Sequence, residues 1–380
     1  MFVDFHDNIR NAKDVFFSDN AEHFDQLIIA HKQQSILLCI TPANVKRLQD
    51  NITFGPISQN ALAKISKRSP DYRAAMDISR RVYRVLDSES IPVPFKISSE
   101  RFIDTKLDYF ASKKSIFSPR LFVENSDNDF LCINSIYQAY CKVNGYPAEL
   151  VKIIPAHGGG TGIGSVLRNM DPGEAMGLCL CDRDYHPFDP DLMFRHGTTA
   201  ASTYKSAVEL NMISEGETGY STCDPFFSFD VTMPRTIEGF IGPRLLEIFF
   251  DNNPGNQESR DRILAAFPTA PDYSEIEMAV WFSANLKDSG VKVEELSSAI
   301  SKLDGRSAFS RQRLELAAKS TIPSSAAKWI WSGIQYGRSQ RLLLKAFERQ
   351  MDSDLYSKAV TQIAEKIRDL HSADSRMRFA

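Results

Sequence analysis

The spacing of apolar residues differs among three successive parts of the chain. Residues 1–115 and 251–380 mostly show apolar residues at helical spacing, whereas residues 116–250 contain short apolar runs separated by helical patterns. In the first part, we expect a helical break at Pro70 and a further helix near residues 99–112. We therefore predict a mainly helical N-terminal region, a central α/β core and a helical C-terminal region.

The central region has the pattern of a small parallel sheet. Short apolar runs at residues 120–125, 149–157 and 176–184 predict three buried strands, and a fourth strand is predicted at 226–231. Between the first three runs lie a helical pattern that ends near Gly145 and a glycine-rich turn that enters a second helix. This alternation predicts parallel strands with right-handed crossovers, so the expected fold class is α/β.

Acidic residues stand where two of the predicted strands end. Glu124 ends the first strand, and Asp182 and Asp184 end the third as Asp-Arg-Asp. The carboxyl ends of parallel strands form one edge of the sheet, where ligands bind in open α/β folds. Side chains at positions i and i+2 of an extended segment point the same way, so both aspartates can reach one cation. Carboxylate oxygens favour Mg²⁺ or Mn²⁺, which predicts a metal site for phosphoryl transfer.

The order of these motifs resembles that of the Toprim domain. LFVENSDNDFL, IIPAHGGGTGIGSVL and LCLCDRD are similar to its strand-borne glutamate, its glycine turn after the second strand and its D-x-D after the third. Arg235-Thr-Ile-Glu238 is similar to the R-x-I-E element of the overcoming-lysogenization-defect (OLD) nucleases and of stand-alone Toprim proteins of bacterial phage defence. The resemblance covers about residues 118–250 and implies a Toprim-like core.

The resemblance implies a divalent-metal-dependent endonuclease that cleaves DNA or RNA. It implies that Glu124 is a metal ligand or general base, that Asp182 and Asp184 bind the metal, and that Glu238 binds a second metal or supports the first. Such proteins serve as antiphage effectors, often with a separate ATPase that senses infection, and are held inactive until triggered. No Gly-Lys-Ser or Gly-Lys-Thr follows the glycines, so we expect ATP use only in a partner.

The first motif departs from the Toprim pattern in its acidic turn. Asn125 stands where the family has glycine, and Asn128 where it has a second acid, with Asp127 and Asp129 on either side. Either aspartate could bind the metal from the start of the helix or serve as its N-cap, a role that asparagine and aspartate fill equally well. The sequence leaves both interpretations open, and with them the choice between one metal and two.

Basic residues mark candidate contacts with nucleic acid. Residues 64–84 and 328–349 are rich in Lys and Arg, and the second segment includes Trp329, Trp331 and Tyr336, which suits phosphate contact and base stacking. The alternative is two solvated helix faces with the aromatic residues in the core. The residues predicted to contact nucleic acid are Lys205, Arg235, Arg338 and Arg341.

The glycine turn and nearby histidines leave further alternatives open. The run Gly158–Gly164 either forms a tight turn or cradles a phosphate at a helix start, and it falls short of the full dinucleotide fingerprint. Histidine can be a metal ligand or a general acid, although scattered loop histidines are more often neither. The histidines near the predicted loops are His157, His186 and His196.

Composition and charge narrow the class of protein. The 380 residues are 43% hydrophobic and 24% charged, with a net charge of -3, which suits a globular enzyme rather than a basic coat for nucleic acid. No apolar run predicts a membrane span, and the first residues lack the apolar segment of a secretory signal. The six cysteines mostly lie in apolar runs, which indicates reduced thiols and a cytoplasmic protein. A homo-oligomer is compatible with the sequence.

Two other functions fit part of the pattern. A nucleotide-sugar glycosyltransferase also holds Mn²⁺ with a D-x-D after a strand, but it leaves Glu124 and Glu238 unexplained. A Toprim fold kept only to bind nucleic acid or a partner would explain the altered acidic turn. It would not explain why Glu124, Asp182, Asp184 and Glu238 are all present, so the sequence favours the nuclease.

Overall fold

The structure is a computed structural model of the 380-residue chain. It describes residues 2–5, 12–33, 35–77, 81–86, 91–99, 101–112, 119–125, 127–145, 153–159, 162–170, 177–185, 198–216, 219–222, 226–268, 275–287, 291–302 and 309–370. Within these ranges the chain forms a five-stranded sheet, a four-stranded sheet and a two-stranded hairpin, with helices packed around the larger sheets.

The N-terminal region alternates strands with helices. Its elements are β1 (Phe2–Phe5), α1 (Asp14–Asp19), α2 (Ala21–Lys32), β2 (Leu37–Cys39), α3 (Pro42–Asn51), α4 (Pro56–Lys67), α5 (Ser69–Asp77), β3 (Val82–Leu86), β4 (Phe95–Ile97), β5 (Phe102–Lys106) and α6 (Leu107–Ser112). The strands form one sheet in the order β2-β1-β3-β5-β4, parallel except for β4. Strands and helices share one hydrophobic core, in which Phe17, Phe24 and Tyr83 are fully buried.

The strand patterns of this N-terminal sheet were not recognised in the sequence. The helix predicted near residues 99–112 is confirmed only in its second half, which forms α6. The preceding residues form β5, so the prediction is wrong there. The strands are three to five residues long, and runs this short have no period that separates a strand from a turn of buried helix. The predicted break at Pro70 is confirmed, because α4 ends at Lys67 and Pro70 lies in the first turn of α5.

The central region contains the predicted parallel sheet. Its elements are β6 (Arg120–Val123), α7 (Asn128–Val143), β7 (Ile154–His157), α8 (Ile163–Arg168), β8 (Gly177–Cys181), α9 (Thr199–Glu209), β9 (Ile213–Gly216), β10 (Gly219–Thr222), β11 (Phe227–Val231), a 3-10 helix (Ile237–Phe240) and α10 (Pro243–Asn252). The sheet order is β11-β8-β6-β7, with every neighbouring pair parallel. This confirms the α/β fold class, while β9 and β10 add an antiparallel hairpin that was not predicted.

Both faces of the central sheet are covered. Leu121 and Val123 of β6 belong to the core that the sheet shares with the C-terminal helices. Phe122, between them, belongs to a second core with Ile163 of α8 and Ala207 of α9. Strands buried on both faces read as continuous apolar runs, which explains the all-buried GLCLC sequence of β8.

The C-terminal region is helical throughout its described residues, as predicted. After a 3-10 helix (Pro254–Asn256), its elements are α11 (Gln257–Ala266), α12 (Glu275–Ser283), α13 (Val293–Ser301), α14 (Arg311–Ala318), α15 (Ser324–Tyr336), α16 (Gln340–Gln350) and α17 (Asp354–Leu370). These helices pack directly on the central region: the hydroxyl of Ser135 donates to the carbonyl of Trp331 (3.1 Å), and that of Tyr356 to the carbonyl of Phe240 (2.7 Å). No helix among the described residues has the length and hydropathy needed to cross a membrane.

Candidate functional site

The candidate site lies at the carboxyl ends of β6 and β8. Glu124 directly follows β6, and Asp182 directly follows β8. The two strands pair in parallel with Phe122 beside Cys179, so the chain leaves the sheet at neighbouring points of one edge. Both acids therefore stand at the edge where ligands bind in open α/β sheets.

Asp184 has an unusual backbone conformation. Its φ is 59°, in the left-handed region that costs a non-glycine residue about 1–3 kcal/mol. Its N–H donates to the carbonyl of Arg235 (2.9 Å), which ties the turn to the segment after β11. β8 ends at Cys181, so a turn positions Asp182 and Asp184, and the extended strand assumed in the sequence analysis is wrong.

Glu238 belongs to the 3-10 helix that follows β11. The segment before it is anchored at two points: the N–H of Arg235 donates to the carbonyl of Phe282 (2.7 Å), and its carbonyl accepts the N–H of Asp184. These bonds fix Glu238 relative to the turn after β8. The predicted R-x-I-E element is therefore brought beside the D-x-D segment, although it opens a 3-10 helix rather than an α-helix.

The acidic turn after Glu124 is held by its own polar groups. The side-chain oxygen of Asn125 accepts the backbone N–H groups of Asp127 (3.0 Å) and Asn128 (3.2 Å), and Oδ2 of Asp129 accepts the N–H of Asn125 (2.8 Å). Asp127 occupies the N-cap position of α7, but its side chain makes no capping hydrogen bond, so the capping role considered for it is wrong. Asp127 is exposed, whereas half-buried Asp129 acts electrostatically on Glu124.

Carboxylates from separate segments share this edge of the sheet. Burial, and then the charge of Asp184, raise the pKa of Glu124 to about 7. Burial, followed by the charges of Glu124 and Glu238, raises the pKa of Asp182 well above its usual range. The carboxylates of this edge therefore act on one another electrostatically. We name this set the acidic cluster: Glu124, Asp129, Asp182, Asp184 and Glu238.

Two oxygens of the acidic cluster are buried without a hydrogen-bond partner in the described part of the chain. They are Oε1 of Glu124 and Oε2 of Glu238. Leaving a buried polar group unpaired costs about 1–3 kcal/mol, and more when it is charged, so native proteins rarely do so. These hard oxygen donors fit Mg²⁺ or Mn²⁺. Nevertheless, no three His, Cys, Asp or Glu side chains of the described ranges converge into a complete ligand set.

Lys287 is a site residue that the sequence analysis missed. It lies in the segment after α12. Burial lowers the pKa of its ammonium group, but the nearby carboxylates, led by Glu238 and Asp182, outweigh burial and raise it. Lys287 in turn lowers the pKa of Glu124. No motif marks this lysine, and only the packing of the C-terminal helices on the central region brings it to the acidic cluster.

Arg235, predicted to contact nucleic acid, is engaged within the protein. Its guanidinium lies 2.9 Å from the carboxylate of Glu295, and the two side chains are only 14% and 21% exposed. It also lies 6.0 Å from the ring centre of Tyr185. Burial raises the pKa of Asp184, and the charge of Arg235 partly offsets that rise. Its contacts are those of a group that positions the turn after β8.

The other basic residues lie in different settings. Lys205 is exposed on α9, and Arg338 and Arg341 are exposed where α15 is followed by α16. In the first basic segment, Arg84 forms two hydrogen bonds to Asp104 (2.6 and 2.9 Å) and is therefore used inside the N-terminal sheet. The second segment thus offers more accessible cations than the first.

Two glycines of the turn after β7 occupy positions that a larger side chain would not fit or would strain. The N–H of Gly158 donates to the carbonyl of Val123 (2.9 Å), and an added Cβ there would lie 2.1 Å from a side-chain carbon of Ile163. Gly159 has a φ of 61°. These facts support the tight-turn interpretation. Residues outside the described ranges include Gly160, His186 and His196, and nothing is described of the side chain of His157.

A cavity of about 210 Å³ opens beside the acidic cluster. Glu238 and Lys287 line one part of it, and Cys132 and Trp331 line another. The cavity therefore places a carboxylate, a cation and an apolar wall around one space. Such a mixture suits a charged ligand that also has a planar or apolar part.

No protein-family model, curated protein or solved structure matches this chain. The site must therefore be interpreted from its own geometry and charges.

Proposed function

We propose that the protein is a divalent-metal-dependent nuclease of the Toprim type. The observation that carries the proposal is the acidic cluster, in which carboxylates from three segments meet at one sheet edge and leave buried oxygens unpaired. Buried charges of one sign call for a compensating cation. The ordered motifs that resemble Toprim supply the reaction class, which is hydrolysis of a phosphodiester bond in DNA or RNA.

Mg²⁺ or Mn²⁺ would be held by Glu124, Asp182 and Glu238, with Asp184 and Asp129 beside them. Bound there, the ion would polarise a phosphate oxygen and lower the pKa of a water molecule. Burial and the neighbouring carboxylates raise the pKa of Asp182, and a bound cation would offset this repulsion.

The side chains around the cavity suit hydrolysis. As the alternative to a ligand role, Glu124 could serve as general base, because burial and the charge of Asp184 raise its pKa to about 7. Lys287 keeps its positive charge on the cavity wall beside Glu238, where it can stabilise negative charge that develops on a phosphate. Arg235 positions the turn that carries Asp184.

The biological setting follows from the same resemblance. The protein would act in the cytoplasm as an antiphage effector, triggered by a separate ATPase that senses infection. The described cysteines are all buried and form no disulfide, which suits a reducing compartment.

A non-catalytic Toprim-fold module is the second candidate. It is favoured by the absence of a complete ligand set among the described residues and by Asn128 at the position of the family's second acid. Such a module would bind nucleic acid or a partner protein through the same edge of the sheet.

The deciding experiment is a cleavage assay with the purified full-length protein in Mg²⁺ or Mn²⁺. Plasmid DNA, single-stranded DNA and total RNA are tested side by side. Asp182→Asn removes a central charge of the acidic cluster, and we expect it to reduce cleavage by at least about a hundredfold. Asp50→Asn is the matched control, since it makes the same substitution at an exposed position of α3.

Metal-dependent cleavage that is lost in Asp182→Asn and kept in Asp50→Asn supports the nuclease. If the purified protein is inactive, wild type and Asp182→Asn are expressed beside their genomic neighbours and scored for toxicity. Toxicity of the wild type alone supports a nuclease that awaits a trigger. Inactivity in both assays contradicts the nuclease and favours the binding module.

A further inference from the structure

We propose that a groove beside the acidic cluster binds a single-stranded segment of nucleic acid next to the bond that is cleaved. This inference rests on the proposed nuclease function and adds the form of its substrate. The groove has a volume of about 810 Å³, within the range of about 300–1,000 Å³ that ligand pockets occupy. Its principal lining residues are Asn128, Phe249, Lys328, Trp329, Tyr336 and Arg338.

The groove presents aromatic rings on its surface. Tyr336, at the end of α15, is 73% exposed, which is unusual for so large a ring. Trp329, two helical turns earlier, is half-buried, and its ring stands edge-on to that of Phe249 with centres 5.7 Å apart. A fixed indole and an open phenol ring along one helix are a platform on which unpaired bases can stack.

The charges of the groove match a phosphate backbone. Lys328 and Arg338 are both exposed, line the groove and flank Trp329 and Tyr336 in the sequence. None of the described residues that line the groove is acidic. Among the described residues, the structure records no ion pair for either cation. Both are therefore available to phosphates, in contrast to Arg235 with its internal partner.

The groove adjoins the cavity of the acidic cluster. Asn128 and Ser324 line both spaces. A strand with bases at Tyr336 and Trp329 would thus be directed toward Lys287 and Glu238, which line the smaller cavity. Only an unpaired base exposes the face that stacking requires, so the aromatic platform favours single strands over duplex.

The test is direct binding, measured by fluorescence anisotropy in a buffer with EDTA. The protein is the full-length Asp182→Asn variant, which separates binding from cleavage. The probes are labelled single-stranded DNA, single-stranded RNA, duplex DNA and an abasic strand. We expect single strands to bind tighter than duplex of equal length, and the abasic strand to bind weakly.

Groove variants are added on this background. Tyr336→Ala should weaken single-strand binding by roughly tenfold or more without changing its salt dependence, and Tyr336→Phe should retain affinity. Lys328→Ala and Arg338→Ala should each reduce the slope of log affinity against log salt by about 0.7. Lys32→Ala, an exposed lysine of α2 in the N-terminal region, is the matched control and should change neither.

The two proposals fail in different ways. If wild-type protein cleaves with metal but Tyr336→Ala, Lys328→Ala and Arg338→Ala all bind like their parent, the groove assignment is overturned and the nuclease stands. If these variants lose binding as expected but no cleavage occurs, the groove stands and the nuclease does not. Preference for duplex, or equal binding of the abasic strand, also overturns the single-strand assignment.

Discussion

Two acidic sites lie at neighbouring strands of the central sheet and differ in whether their carboxylates have hydrogen-bonding or charged partners. Asp230 of β11 is 4% exposed, and its carboxylate lies 2.8 Å from both Lys366 and Gln362. These two partners stand one turn apart on α17. In the acidic cluster, by contrast, Glu124 and Glu238 each keep a buried oxygen without a partner among the described residues.

This difference separates a structural acid from a candidate functional one. A paired carboxylate such as Asp230 stabilises the packing of α17 on the sheet, and removing it would leave Lys366 without its counter-ion. Unpaired carboxylates cost folding energy, and such costs persist where a ligand or reaction requires the group. The comparison therefore makes distinct predictions for the two sites.

The largest expected effect is stabilisation by metal. At a free Mg²⁺ or Mn²⁺ concentration about a hundred times its Kd, binding to the acidic cluster should stabilise the protein by about 2.7 kcal/mol. Urea unfolding followed by circular dichroism measures this increment. Asp182→Asn should lose most of it, whereas Asp230→Asn should retain it. An equal increment in the two variants, or none in wild type, would contradict a metal site in the cluster.

A smaller effect is expected when the same substitution is made at both sites without metal. Asp230→Asn should lower the free energy of unfolding by about 2 kcal/mol, because it breaks a charge-assisted pair in a buried setting. Asp182→Asn should leave stability unchanged or increase it, since it relieves burial and repulsion. Urea midpoints compare the two, and comparable losses in both variants would argue against the distinction drawn above.

The third prediction concerns the pH dependence of the metal-free protein. The pKa of Glu124 is raised from 4.5 to about 7, so the folded state keeps its proton where the unfolded chain has lost it. The contribution of Glu124 to stability is therefore fully present below about pH 4.5 and falls as the pH rises toward 7. Glu124→Gln should remove this fall. The free energy of unfolding is measured against pH for wild type and for Glu124→Gln. If the two curves run parallel, the raised pKa is refuted.

Much of the central region could be predicted from the sequence. The buried strands there are short apolar runs separated by helix-length segments, and that alternation allows few arrangements other than a parallel sheet. The positions of Glu124 and Asp182 follow from the same pattern, because an acid directly after a buried strand must emerge at the carboxyl edge. Site residues borne on loops were harder to predict, as the turn at Asp184 shows.

The N-terminal sheet could not be predicted in the same way. The segment 82–86 continues a helical pattern in sequence, yet it forms a strand because it fits between β1 and β5 in a buried sheet. Such pairing depends on residues far apart in the chain, which local periodicity does not register. The helix predicted across β5 failed for the same reason.

The sequence by itself determined the α/β class of the central region, its parallel strands and the two strand ends that carry acids. Only the tertiary structure decided that Lys287 lies near those acids, that Arg235 is paired with Glu295, and that the groove at Tyr336 and the cavity at Glu238 share lining residues. The physical reason is the separation along the chain of the residues that interact. Strand and helix patterns arise from neighbours within a few residues. Charge pairing and cavities arise from the packing of segments that are distant along the chain.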